Sequence, residues 1–135
     1  MRRTASCACG QMRVDCEGDP VSVSLCHCTE CQKRTGSVFG IAAFFARGQL
    51  RFTGAANTWS RPSDSGFEVA HHFCPNCGST VWWEPLRKPD YVAVAVGAFA
   101  DPNFPAPSKQ VYDHHRHGWI RLDLEAGRTA SGRTD

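Results

Sequence analysis

The sequence predicts an all-β domain. Apolar and polar residues alternate with period two over most of the chain, turn-forming residues separate those runs, and no stretch shows a convincing helical repeat. At 135 residues, with 41% hydrophobic and 21% charged, the chain can form one domain that buries roughly two-thirds of its unfolded surface. It therefore has no need of disulfides to fold. We place that domain at 1–124 and expect the small, polar segment 125–135 to be a disordered tail.

In chain order, Met12, Val14 and Cys16 share one face while Arg13, Asp15 and Glu17 share the other, the pattern of a half-buried strand. Val21, Val23 and Leu25 alternate with Ser22 and Ser24 in the same way, and Leu50 and Phe52 alternate with Gln49, Arg51 and Thr53. Phe67, Val69, His71 and Phe73 share a face, and the valine-rich run Tyr91 to Ala98 reads as a fully buried strand. Turn signals fall at Gly18-Asp19-Pro20, Arg47-Gly48, Pro62 to Gly66, Pro85 to Pro89 and Asp101 to Pro107. Only Thr29 to Arg34 looks locally helical, with Thr29 as its expected N-cap. The result is a sandwich or folded sheet with its cysteines at strand ends.

Bulk properties narrow the function classes. A formal charge of +2 with no basic run argues against nucleic-acid binding. The longest apolar runs, Val38 to Ala46 and Tyr91 to Ala100, are about half the length needed to cross a bilayer, so no membrane partner is expected. No apolar stretch follows Arg2-Arg3 as it would in an export signal. A cytoplasmic, reducing compartment is the expectation, and there clustered cysteines read as metal ligands or redox groups before disulfides.

Seven of the eight cysteines fall into three clusters: Cys7-x-Cys9, Cys26-x-Cys28-x-x-Cys31 and Cys74-x-x-Cys77. A tetrahedral zinc takes four thiolates, so seven ligands suggest one closed site and one with an open fourth position. Cys74-Pro75-Asn76-Cys77-Gly78 has the form of a zinc knuckle, and Cys7-Ala8-Cys9-Gly10 is its natural second half. Those four we assign to a structural zinc. Cys26, Cys28 and Cys31 can present three sulfurs from one short segment, either as an open site or as a closed one completed by His27, His71, His72 or His114. A redox reading of Cys28-x-x-Cys31 is weaker, because no strand-helix alternation surrounds it. Cys16 lies on an apolar face and reads as a small buried hydrophobe.

Taken in order, Cys7-Ala8-Cys9-Gly10, Cys26-His27-Cys28-Thr29-Glu30-Cys31-Gln32-Lys33 and Phe73-Cys74-Pro75-Asn76-Cys77-Gly78-Ser79 resemble the glutathione-dependent formaldehyde-activating enzyme family, which includes centromere-protein-V-like proteins. Thr35-Gly36-Ser37 and Phe99-Ala100-Asp101-Pro102 extend the resemblance, which spans roughly Cys7 to Leu122. It implies an Mss4-like fold of folded β-sheets carrying two zinc ions. Cys7, Cys9, Cys74 and Cys77 would hold the structural one, and Cys26, Cys28 and Cys31 the catalytic one. The family pattern also carries a histidine near Lys109-Gln110, where this chain has none.

The resemblance further implies a carbon-sulfur lyase that adds glutathione reversibly to formaldehyde, giving S-hydroxymethylglutathione. A three-thiolate zinc suits that chemistry, being a poor acid toward water but able to hold an incoming thiol as a nucleophilic thiolate. Lys33 and Arg34, next to the last ligand, are the candidate contacts for the two carboxylates of glutathione, or else solvated charges. Trp82, Trp83 and Trp119 are candidates for a pocket wall or for core packing, and His114, His115 and His117 for a proton donor or an exposed polar segment. The alternative to an enzyme is a binding module in which both zincs are structural and the sheet surface meets a protein partner.

Overall fold

Alternation decides which side of each strand is dry, and the computed structural model shows two different environments on the two faces. It describes residues 1–124 and the backbone of residues 127–128. The strands are β1 (Arg2–Ser6), β2 (Arg13–Glu17), β3 (Ser22–Cys26), β4 (Gly40–Ala46), β5 (Leu50–Thr53), β6 (Asn57–Arg61), β7 (Val69–Phe73), β8 (Thr80–Pro85), β9 (Tyr91–Ala95), β10 (Lys109–Val111) and β11 (Gly127–Arg128). One helix, α1 (Thr29–Thr35), interrupts them.

The strands form a three-stranded sheet, β1-β2-β5, and an eight-stranded sheet, β11-β10-β3-β4-β9-β8-β7-β6. Pairing is antiparallel except where β10 lies parallel to both β3 and β11. Val23, Ala43, Phe45 and Val94 from the large sheet pack with Ala5, Val14 and Cys16 of the small one in a single buried cluster. That is the core of the sandwich. The opposite face of the large sheet carries Ser24, Cys26, Ala42, Phe44 and Trp83. Period-two alternation thus sends one set of side chains into the core and the other toward a cavity.

Cys16 is fully buried within that core, and burial pushes its thiol up to about 12, so it stays a neutral, inert side chain. The valine-rich strand expected over Tyr91 to Ala98 ends at Ala95. There the chain winds into a short 3-10 turn, Val96–Phe99, which delivers Phe99 into the core against Phe104, 4.6 Å between ring centroids. The core position of Phe99 outweighs strand propensity in the last turn. The expected tail at 125–135 lies outside the described residues apart from Gly127–Arg128, which run beside Lys109 and Gln110.

Candidate functional site

Cysteine pairs sit where strands end. Cys7 directly follows β1 and Cys74 directly follows β7, so the two knuckles meet although they lie far apart in sequence. Their four sulfurs lie within 4.8 Å of one another. Cys9 Sγ is 3.6 Å from Cys7 Sγ and 3.7 Å from Cys74 Sγ. These spacings match the edge of a tetrahedron, about 3.8 Å, that zinc–sulfur bonds of about 2.3 Å require.

Donors surround those sulfurs. The Met12 amide donates to Cys7 Sγ at 3.3 Å, and Asn76 N and Gln11 Nε2 donate to Cys74 Sγ at 3.3 and 3.0 Å. The hydroxyl and amide of Ser79 hold the Cys77 thiol down to about 5. Gly10 and Gly78, which follow the two knuckles, have φ of 84° and 80°, a backbone that side-chain-bearing residues rarely adopt. Four clustered sulfurs, supported by backbone and side-chain donors and linking two distant strands, fit a bound zinc.

The second cluster is built differently. Cys26 ends β3, Cys28 precedes α1 and Cys31 lies in its first turn. The N-cap is Cys28 rather than the expected Thr29, because the Cys28 sulfur accepts from the Cys31 amide at 3.3 Å. A sulfur that caps the helix is thereby aimed at the same point as Cys31. Left-handed Gly36, φ 70°, closes the helix after Thr35. The three sulfurs lie within 4.8 Å of one another. Hydrogen bonds from the Cys26 and Cys31 thiols pull Cys28 down to about 2, whereas sharing with Cys28 pushes Cys26 up. Three thiols so close need a cation before all can ionise.

Among the described residues no histidine, aspartate or glutamate joins this trio. His27 is fully buried and turns away, placing Nε2 3.0 Å from the side-chain oxygen of Gln110. His72 is held by Thr58 and Glu84, with Nε2 2.7 Å from Glu84. His71 stands near Trp59 and Trp83, where burial lowers it to about 4. His114 is exposed and outside the cavity. The donor set present is three sulfurs, and all three cysteines line a cavity of about 940 Å³.

That cavity runs along the face of the large sheet. Its floor is Ser22, Ser24, Gly40 and Ala42, small side chains that leave depth above the strands. Arg34 and Trp83 form a wall beside the sulfurs, with the guanidinium carbon 4.0 Å from the Trp83 ring centroid. Burial lowers Arg34, and the Cys31 sulfur, to which it also hydrogen-bonds, acts in the other direction. Arg87, Lys88 and Lys109 line the cavity further along, and burial lowers Lys109 with help from the two neighbouring cations.

Lys33 lies elsewhere. Its side chain is 78% exposed, lies 3.8 Å from Glu30 and does not line the cavity. Of the tryptophans, Trp83 lines the cavity, Trp82 stacks on His72 at 3.8 Å, and Trp119 is exposed. His115 reaches the cavity rim, while His117 does not.

Two cavity residues carried no sequence signal. Tyr112 follows β10 with a left-handed backbone, φ 54° and ψ 42°, and its hydroxyl donates to Asp64 Oδ2 at 2.5 Å. Asp64 sits between β6 and β7, at the other end of the sheet order. Gly40 has an ordinary φ, yet a Cβ there would lie 2.5 Å from Arg34 Nη2 and 3.5 Å from the Cys31 Cβ. The absence of a side chain makes room for the arginine.

Comparison with known proteins bears on family and fold. The family model described as glutathione-dependent formaldehyde-activating enzyme matches residues 2–115. A crystal structure of a Rhodobacter sphaeroides protein, a structural-genomics target, is similar in fold with a TM-score of 0.56 at 24% identity, covering 74% of this chain and 90% of that one. No curated protein matches the chain at a significant level.

Proposed function

From the premise that the chain belongs to the glutathione-dependent formaldehyde-activating enzyme family, we propose that it is a zinc-dependent carbon-sulfur lyase that joins a thiol to a small aldehyde. Glutathione and formaldehyde are the pair the family suggests, with S-hydroxymethylglutathione as product. The single observation that carries this reading is the three-sulfur cluster, which has no fourth side-chain ligand among the described residues and opens into a cavity of about 940 Å³. Pockets for small ligands span about 300–1,000 Å³, so a tripeptide and a small aldehyde fit together in this one.

Cys26, Cys28 and Cys31 would hold a zinc ion, which would supply the Lewis acidity that keeps a thiol deprotonated and nucleophilic. The chain's own residues do the rest. Arg34, fixed against Trp83, places a positive charge beside the sulfurs, where it steadies a second anion and offsets the charge of the thiolates. Arg87, Lys88 and Lys109 also line the cavity, and with Arg34 they are the cations we assign to the carboxylates of a peptide thiol. Lys33, turned toward Glu30 and solvent, does not.

The small floor residues let the thiol chain lie flat along β3 and β4. Holding thiol and aldehyde at one centre turns an encounter of two molecules into a step within one complex. No helix among the described residues is long and apolar enough to cross a membrane.

Exchange spectroscopy by NMR on glutathione and formaldehyde at equilibrium tests the proposal. The protein should speed interconversion with the hydroxymethyl adduct above the spontaneous rate, and Cys28→Ser should return it to that rate. Spontaneous kinetics with the fully zinc-loaded protein contradict the lyase reading.

A further inference from the structure

Tyr112 lines the cavity into which the three-sulfur cluster opens. Register sets the location: β10 runs parallel to β3 with Val111 alongside Cys26, and the His27 amide donates to the Val111 carbonyl at 3.1 Å. Tyr112 is the next residue, and it lines the cavity with Cys26, Cys28 and Cys31. Its left-handed backbone is uncommon for a large side chain and disfavoured by roughly 1–3 kcal/mol. Such a conformation persists only where the surroundings hold it. Here the hydroxyl is pinned by Asp64, which arrives from the far end of the sheet.

The Asp64 side is built to stay put. Ser63 Oγ lies 2.8 Å from Ser65 Oγ and donates to the Phe67 carbonyl at 2.6 Å, and the Phe67 amide donates to Ser65 Oγ at 3.2 Å. The turn satisfies its own polar groups and presents the aspartate outward. Burial and the bond to Asp64 push Tyr112 up to about 12, so the phenol keeps its proton at neutral pH. A group that stays protonated yet exchanges with an alkoxide of similar basicity suits this role.

We propose that Tyr112 is the hydrogen-bond and proton donor to the oxygen that the aldehyde carbon carries when it joins the thiol, and that Asp64 holds it in position. This rests on the lyase reading and names a residue within it. In the joining step the thiolate sulfur forms a bond to the carbonyl carbon, and the carbonyl π pair moves onto oxygen. That oxygen takes the Tyr112 proton. The phenolate regains the proton that the thiol gave up on binding, so no further reactant is consumed. Because one hydroxyl donates one hydrogen bond, the ligand oxygen replaces Asp64 as its acceptor.

Calorimetric titration of the zinc-loaded protein tests the role without relying on turnover. Thioacetate places an oxygen on the carbon next to sulfur, as the hydroxymethyl adduct does, whereas ethanethiol has none. Tyr112→Phe should weaken thioacetate by about tenfold or more and leave ethanethiol unchanged, while retaining both zincs. Asp64→Ala removes both a support and a competing acceptor of the hydroxyl, so it should change thioacetate affinity by less than Tyr112→Phe does and leave ethanethiol unchanged. Glutathione–formaldehyde exchange should slow in step with the thioacetate loss. Equal effects on the two thiols, or none, overturn the assignment and leave the lyase reading standing. If the wild-type protein binds neither thiol, the lyase reading falls and the role of Tyr112 falls with it.

Discussion

The guanidinium of Arg34 lies over the ring of Trp83, 4.0 Å from its centroid. Arg34 belongs to α1 and Trp83 to β8, so the pair fixes the helix that carries Cys31 against the sheet that floors the cavity. Stacking leaves the guanidinium edge free to face sulfur, and it fixes a long side chain that would otherwise sample many rotamers. Arg34→Gln should weaken thiol-anion binding by about tenfold or more, the loss of a charge-assisted hydrogen bond, with both zincs retained. Calorimetric titration with glutathione reads this directly.

Gly40→Ala should reproduce much of that loss from a residue with no side chain. The new methyl would meet Arg34 Nη2 at 2.5 Å, so the flexible arginine must move rather than the backbone. Combining Gly40→Ala with Arg34→Gln should then add little to either alone, because both remove the same contact. A double-mutant cycle on glutathione affinity checks the coupling.

Cys16→Ser should leave the zinc content unchanged while lowering stability by about 1–3 kcal/mol. The site is fully buried, and the nearest acceptor, the Val14 carbonyl, is 3.9 Å from the sulfur, too far to satisfy a hydroxyl well. Denaturant unfolding alongside metal analysis separates the two effects. A loss of zinc would make Cys16 a ligand after all.

His71 gives a pH signature. Burial holds it near 4, below the ordinary value of 6.5, so between those values the unfolded chain binds a proton that the folded protein refuses. Its contribution therefore favours unfolding as pH falls from about 6.5 toward 4. His71→Leu lacks this liability. The stability of wild type minus that of the variant should fall across that window and stay flat above pH 7, as measured by paired urea titrations.

How far the sequence carried these conclusions follows from where each signal lives. Strands β2 and β3 were legible because Val14, Cys16, Val23 and Leu25 face one core and alternate cleanly. Strand β6 was not, because Asn57 to Ser60 are all exposed at the sheet edge and carry no apolar period. The cysteine clusters could be read because each pair or trio is local, and the fold had only to bring two knuckles together. Tyr112 and Asp64, 48 positions apart, meet although β10 and β6 sit toward opposite ends of one sheet order, a contact that no local pattern announces. Gly40 gave no warning either, since its ordinary φ hides a purely steric requirement.

An open three-sulfur zinc that accepts a thiol should accompany a closed four-sulfur one in the same chain. X-ray absorption at the zinc edge on protein containing two zincs per chain tests it most directly. The average should be about 3.5 sulfurs per zinc, rising to about 4 when glutathione is added. A single zinc per chain at full occupancy, or a sulfur count that glutathione does not change, would contradict it.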